Sequence, residues 1–347
     1  LLQLPFNNAD DDELAVVSTD SRPPHGSLHS RFETFSRVVM PSFEITTDNF
    51  HADLDPELNM NIFRKFEDVM NSNCAYYDPK ILHDNDKFND SSISILHHNV
   101  RSFANAAHYN EICSMYNNSR INVLGFSETW LTCDNKDLHS ISGYNAIHET
   151  RSTSRGGGVS LFIHSTLQYT QRHDLSAKFT NAESIFIELQ IPQVRPSTHL
   201  KLIVGEIYRP PHNDIHVFTE QLNEIISIID SERAECFLMG DMNIDLLKCM
   251  NDPNVSDYLN CLYTHFYAPL IIRPTRVTSS TFTCIDHIMS NALNRLCQGS
   301  VCTGIILNET SDHFPVFCSF NASLNAPYQK STIRYQIITE NTMSNLR

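Results

Sequence analysis

From Ser92 onward the chain alternates short apolar runs with longer amphipathic ones, a rhythm that the preceding residues do not keep. Ile93-Ser94-Ile95-Leu96 leads into His97-His98-Asn99-Val100-Arg101, and Ile121 to Phe126 leads into Ser127-Glu128-Thr129-Trp130. Short apolar runs that end in polar clusters predict buried strands. Between these two, Ala106, Tyr109, Ile112 and Cys113 recur at helical spacing and predict a helix over Asn105 to Tyr116. Further strands are predicted at Val159 to Ile163, Ser184 to Ile191, Leu200 to Tyr208, Cys236 to Met239, Thr281 to Met289 and Val301 to Leu307. Val217, Leu222, Ile225, Ile226 and Ile229 outline a helix ending near Ser231, and another is expected around Asp257 to Phe266. Strands that alternate with helices in this way predict an α/β domain.

Residues 1–91 read differently. Pro23-Pro24, Pro41, Pro56 and Pro79 interrupt them, and up to residue 90 they hold 17 Asp and Glu against 7 Lys and Arg. Only Leu58, Ile62, Phe66 and Val69 share a helical face. The expected organisation is an acidic, largely disordered leader over 1–91 with one short helix, a domain over 92–321 and a linker-like tail over 322–347. A net charge of −15 excludes a generic nucleic-acid coat, although most of the excess lies in the leader rather than in the domain. No apolar run approaches the roughly 20 residues of a membrane span. The Asp10-Asp11-Asp12-Glu13 cluster stands where a secretory leader is apolar, so a soluble, intracellular, non-secreted protein is expected. The ten cysteines form no C-x-x-C pair, which argues against zinc and for reduced, mostly buried thiols. Arg155-Gly156-Gly157-Gly158 is followed by a strand and by no Lys-Ser/Thr, so it reads as a hairpin turn rather than a phosphate loop.

Candidate chemistry sits at the strand ends: Asn99, Glu128, Tyr208, Asp241 with Asn243, and Asp312 with His313. Singly, each reads as a cap or a solvated loop residue. Strand ends on one edge of a sheet sandwich converge in space, and there the residue types suit metal-assisted phosphodiester hydrolysis. Glu128, Asp312 and Asn99 offer hard oxygen ligands and select Mg²⁺ or Mn²⁺. Asp241 is the candidate to orient and deprotonate water, with Asn243 positioning it. His313, its pKa raised by Asp286, donates to a phosphate oxygen that Tyr208 also contacts, or alternatively serves as the general base.

The ordered run Asn99, Ser127-Glu128-Thr129, Tyr208-Arg209, Gly240-Asp241-Met242-Asn243, Ile285-Asp286-His287 and Ser311-Asp312-His313 resembles the endonuclease/exonuclease/phosphatase family. Fuller strings are similar to the endonuclease domain of non-LTR retrotransposons. They are His98-Asn99-Val100-Arg101-Ser102, VLGFSETWL from Val123, RGGGVSLFI from Arg155, IYRPP from Ile207, GDMNIDLL from Gly240 and RPTRVT from Arg273. The resemblance spans about residues 92–320; Met242 stands where the family usually has Phe. It implies a four-layer α/β sandwich of two packed mixed sheets with the site at one edge. It also implies a nick in target DNA that leaves a 3′ hydroxyl, from which a reverse transcriptase region of the same polyprotein primes, and hence a nuclear location if the protein is active. Within the same fold, the alternatives are a phosphatase of a nucleotide, lipid or inositol phosphate and a catalytically inactive remnant.

Overall fold

The computed structural model describes residue 32 and residues 35–41, 74–84, 86–89, 91–151, 156–192, 199–292 and 301–321. One sheet has the strand order Cys74–Tyr77 (β1), Val301–Ile306 (β14), Val316–Asn321 (β15), Ser92–Asn99 (β2), Val123–Ser127 (β3), Val159–His164 (β5) and Tyr144–Glu149 (β4). The other has the order Ala268–Pro269 (β10), Asp286–Ser290 (β13), Glu235–Asp241 (β9), His199–Tyr208 (β8), Glu183–Pro192 (β7) and Gln168–Gln171 (β6). Arg276–Val277 (β11) and Phe282–Thr283 (β12) form a small separate ribbon. Each large sheet is mixed: β1 with β14, β2 with β3, and β8 with β9 run parallel, and the remaining pairs antiparallel. The helices are Ala106–Tyr116 (α1), His173–Ser176 (α2), Ile215–Ser231 (α3) and Pro253–Thr264 (α4).

Alternation along the strands decides the layers. Ile93 and Ile95 of β2 and Val316, Cys318 and Phe320 of β15 point into one core with Val204, Phe237, Met239 and Ile288 of the second sheet. Across that core the rings of Phe237 and Phe320 stack at 4.6 Å. The intervening residues Leu96, Leu124, Phe126, Phe162 and Phe317 face the other way and pack on Ile112 and Tyr116 of α1. Phe218, Leu222 and Ile225 of α3 and Tyr258 and Leu262 of α4 join the second sheet, giving the expected helix–sheet–sheet–helix sandwich. Asn105, Asp214 and Asp252 cap α1, α3 and α4 by accepting from backbone N–H groups of the first turns, and Pro253 opens α4 where no donor is needed. Among the described residues no helix is long and apolar enough to cross a membrane, and the described cysteines are free thiols.

Two elements depart from the periodicity reading. The expected single strand over Thr281 to Met289 breaks after Thr283. There Cys284 N donates to Asp245 Oδ1, and Ile285 N and Asp286 N donate to Thr275 Oγ1, carrying the chain from β12 across to β9. The sandwich also takes in residues assigned above to a disordered leader. Cys74–Tyr77 pairs with β14, and Phe35 and Met40 are buried in the main core. The short helix expected over Leu58 to Met70 lies outside the described residues.

Phe35 meets Phe32, Tyr76, Phe282 and Phe314 at ring-centroid distances of 5.5 to 6.0 Å. Met40 N donates to Ile272 O, while Arg273 donates to Ser36 O at 2.7 Å and to Cys74 O at 2.9 Å. This early segment therefore buttresses the ribbon and the strand that follows His313. Phe35→Ala is expected to cost about 3 kcal/mol and Phe35→Leu less than about 1.5 kcal/mol, read as shifts of the urea unfolding midpoint.

Candidate active site

The same alternation that builds the core delivers polar side chains to one edge of it. On the inward face of β2, Ile93 and Ile95 are succeeded by His97 and Asn99; on β8, Leu202 and Val204 by Glu206 and Tyr208; on β9, Phe237 and Met239 by Asp241. Asp286 begins β13 directly opposite Asp241, and Tyr208 is Asp241's neighbour on the other side. Gly240, at φ 147°, allows this approach: a Cβ there would lie 1.8 Å from Ile207 O.

Asn99 is the hinge of the cluster. Its Nδ2 donates to Glu128 Oε1 at 3.0 Å and to Asp241 Oδ2 at 2.8 Å, while its Oδ1 accepts from Arg101 N at 3.1 Å. Tyr208 donates to the same Glu128 Oε1 at 3.4 Å. Asp241 Oδ1 accepts from Asn243 N at 3.0 Å, and the Asn243 amide donates to Arg209 O at 2.9 Å. Arg209 is buried behind this turn and holds it through Met242 O and Asn243 O, each at 2.7 Å. Glu128 and Asn243 have φ of 51° and 49°, a left-handed backbone that a non-glycine residue keeps only when its surroundings impose it. For Glu128 the surroundings are the glycine turn: Thr129 N and Trp130 N donate to Gly158 O and Gly157 O.

A second group lies beside the first. His313 Nδ1 donates to Asp286, 2.9 Å from each carboxylate oxygen, and Thr275 Oγ1 donates to Asp286 Oδ2 at 2.6 Å. Behind them His97 is wholly buried, with Nδ1 donating to Glu206 Oε1 at 2.7 Å and Nε2 to Asp286 Oδ1 at 3.3 Å. Burial drives an imidazole toward its neutral form; the Asp286 carboxylate outweighs this and raises His313 to about 9. Glu206 and Asp286 together raise His97 to about 10 against the same burial penalty. For Asp286 burial is again overcome, here by the two imidazolium partners, and its pKa falls below the usual carboxylate range. Asp241 moves the opposite way: burial raises it, and the neighbouring Asp286 charge raises it further. The two Asp groups thus separate into a permanent anion and a proton acceptor.

Seven of the eight predicted residues, Asn99, Glu128, Tyr208, Asp241, Asn243, Asp286 and His313, fall in these two groups, and ligand-type atoms of Asp241, Asp286 and His313 lie within 4.8 Å of one another. That trio has the spacing of a cation site, yet His313 and Asp286 already neutralise each other and Asp241 is held by Asn99 and Asn243 N. It is better suited to moving protons. Among the described residues the Glu128 side chain accepts from Asn99 and Tyr208 on Oε1, which leaves Oε2 its acceptor capacity, and Glu128 is the carboxylate that fits a hard divalent cation. Asp312 stands apart. Its carboxylate is taken by Arg101 Nη1 at 3.2 Å and by Arg276 Nε and Nη2 at 2.8 Å, and these charges with His313 outweigh burial and hold its pKa low.

Sequence reasoning overlooked His97, Glu206, Thr275 and the buried Arg209 as members of the site. The period-two rule that places Asn99 and Tyr208 also places His97 and Glu206, two residues earlier on the same faces. Arg209 and Thr275 lie within the quoted strings IYRPP and RPTRVT, but they act through bonds across the fold that no local pattern shows.

Comparison with curated protein sequences gives no match. Among solved structures the chain is similar to the catalytic domain of Xenopus laevis APE2, at 15% identity and a TM-score of 0.50, over 67% of this chain and 94% of that one. It is similar to the 3′-5′ exonuclease NExo from Neisseria meningitidis at 14% identity and 0.50, over 66% and 100%. It also aligns with the endonuclease domain of TRAS1, a telomere-specific non-LTR retrotransposon, at 13% identity and 0.49, over 66% and 98%. At these identities the first two establish the fold alone. Residues 96–313, more than half of the sequence, match the model of the Endonuclease/Exonuclease/phosphatase family, and the chain belongs to that family.

Proposed function

We propose that this member of a family of phosphoester hydrolases is a divalent-metal-dependent endonuclease that nicks duplex DNA and leaves a 3′ hydroxyl. The observation that carries the reading is the Asn99 amide bridging Glu128 and Asp241 beside the Asp286–His313 ion pair, a set that supplies a cation ligand, a base and a phosphate donor within one cluster. The retrotransposon-like strings around Asn99, Glu128, Tyr208 and Asp241 support DNA as the substrate and priming of a reverse transcriptase region in the same polyprotein, in the nucleus, as the use of the nick.

In this reading Glu128 would hold Mg²⁺ or Mn²⁺, which would supply Lewis-acid stabilisation of charge at the phosphoryl and departing oxygens. Asp241 accepts a proton from the attacking water, a role that its raised pKa suits, and the turn held by Arg209 and Asn243 fixes its direction. His313, protonated through Asp286, donates to a non-bridging phosphate oxygen, and Tyr208 adds a neutral donor nearby. The water oxygen bonds to phosphorus, the bond from phosphorus to the 3′ oxygen breaks, and that oxygen takes up a proton to become the 3′ hydroxyl.

Supercoiled plasmid incubated with Mg²⁺ is expected to become open circular, EDTA to abolish this, and the nicked product to prime a DNA polymerase without prior phosphatase treatment. Asp241→Asn is expected to lower the nicking rate by about 10²-fold or more. Intact plasmid together with hydrolysis of a nucleoside or inositol monophosphate would instead identify a phosphatase.

The rate is expected to be bell-shaped in pH. The acid limb follows protonation of Asp241, and the alkaline limb follows loss of the His313 proton near 9. Asp286→Asn removes the charge that raises His313, so the alkaline limb is expected to move down toward the roughly 6.5 of a free imidazole. The linked stability has the same sign: the contribution of the His313–Asp286 pair is complete below the unfolded imidazole pKa and is lost as pH rises through about 9, measurable by urea unfolding across that range.

A further inference from the structure

Two guanidinium groups converge on one carboxylate at the mouth of the site. Asp312 meets Arg101 through Oδ1 and Arg276 through Oδ2, so both of its oxygens are engaged by permanent cations. A carboxylate paired in this way has little left for a metal ion, and two adjacent guanidiniums repel one. The exposures are unequal: the Asp312 side chain is 10% exposed, those of Arg101 and Arg276 41% and 36%. The acid is thus the buried anchor and the two bases are the presented groups. Arg101 spends one N–H and Arg276 two on Asp312, and each guanidinium has five.

Both arginines are also fixed to the catalytic residues by their backbones. Arg101 N donates to Asn99 Oδ1 at 3.1 Å, with Arg101 at φ 48°, and Arg276 pairs with His313 in an antiparallel bridge while Val277 N donates to Asp312 O at 3.2 Å. A net positive charge is therefore held rigidly beside the anionic cluster of Glu128, Asp241 and Asp286, in a chain whose overall charge is −15. Such an arrangement selects a ligand that carries more than one anionic group, one at the catalytic cluster and others beside it.

We propose that Asp312 is a positioning residue that anchors a two-arginine clamp, in which Arg101 and Arg276 grip backbone phosphates neighbouring the scissile one, and that it is not a ligand of the metal. The inference rests on the reading of DNA as substrate. Each guanidinium that leaves a phosphate removes one counterion-releasing contact, so Arg101→Gln and Arg276→Gln each flatten the dependence of log KM on log salt by about 0.9. Both raise KM for plasmid several-fold, a larger factor than for bis-p-nitrophenyl phosphate, a diester with no neighbouring phosphate.

The test combines these kinetics with isothermal titration of Mg²⁺ into the full chain, with circular dichroism to confirm folding. Asp312→Asn is expected to change Mg²⁺ affinity by less than about tenfold, whereas Glu128→Gln abolishes binding. Arg101→Lys and Arg276→Lys, which keep the charge and lose the fork, are expected to recover the salt slope with only part of the KM. Loss of Mg²⁺ binding in folded Asp312→Asn, or unchanged salt slopes in both arginine variants while the native protein nicks plasmid, overturns the clamp alone. Native protein that leaves plasmid intact overturns the DNA reading and the clamp with it.

Discussion

Of the ionisable side chains buried inside the sandwich, four form one connected chain, and the rest of the site depends on their mutual neutralisation. Glu206, His97, Asp286 and His313 form a chain of alternating sign that crosses from the second sheet to the first, back to the second, and on to the segment before β15. A lone charge at any of these positions would be prohibitive, and breaking a buried pair typically costs about 3–5 kcal/mol because the survivor is left uncompensated. The chain therefore fixes the relative slide of the two sheets as well as the ionisation of its members. Its far end is the least satisfied: Glu206 Oε2 has no hydrogen-bond partner among the described residues, and burial raises the pKa of this carboxyl against the pull of His97. Gly125 leaves room for that carboxylate, since a Cβ there would lie 2.1 Å from Oε2.

Around this rigid base other groups of the site sit on left-handed connections. Arg101, Glu128 and Asn243 all have left-handed backbones just past the ends of β2, β3 and β9, and each is held there by bonds from a neighbouring element. The division is physical: alternation within the strands supplies the buried ionised groups at fixed depth, and the turns beyond them place the Glu128 carboxylate and the Arg101 guanidinium at the edge. Variation in such turns leaves the base intact, which is how one sandwich can serve different phosphoesters.

Much of this was legible in the sequence because it is local. Apolar runs marked the strands, the strand ends gave Asn99, Glu128, Tyr208 and Asp241, and the need of an imidazolium for a carboxylate paired Asp286 with His313. What was illegible depends on partners distant along the chain. Glu206 in an apolar strand reads as an outward-facing residue until β2 brings His97 to it, 109 residues away. Nothing near Asp312 in the sequence reveals that Arg276, 36 residues earlier, folds back onto its carboxylate. The split of the strand at Thr283 escaped periodicity for the same reason: the donors at 284–286 are taken by Asp245 and Thr275 rather than by a regular ladder.

The segment around Phe35 has a practical meaning for anyone dissecting the protein. Family resemblance begins at residue 96, yet Phe35 fills a ring cluster shared with Phe282 and Phe314, immediately behind the ribbon and His313. A boundary drawn by likeness to relatives would cut away part of the wall against which the segment carrying His313 and Phe314 is packed. The unit defined by ancestry and the unit defined by cooperative folding are different lengths of the same polypeptide, and an expression boundary chosen from the second would start ahead of Phe32.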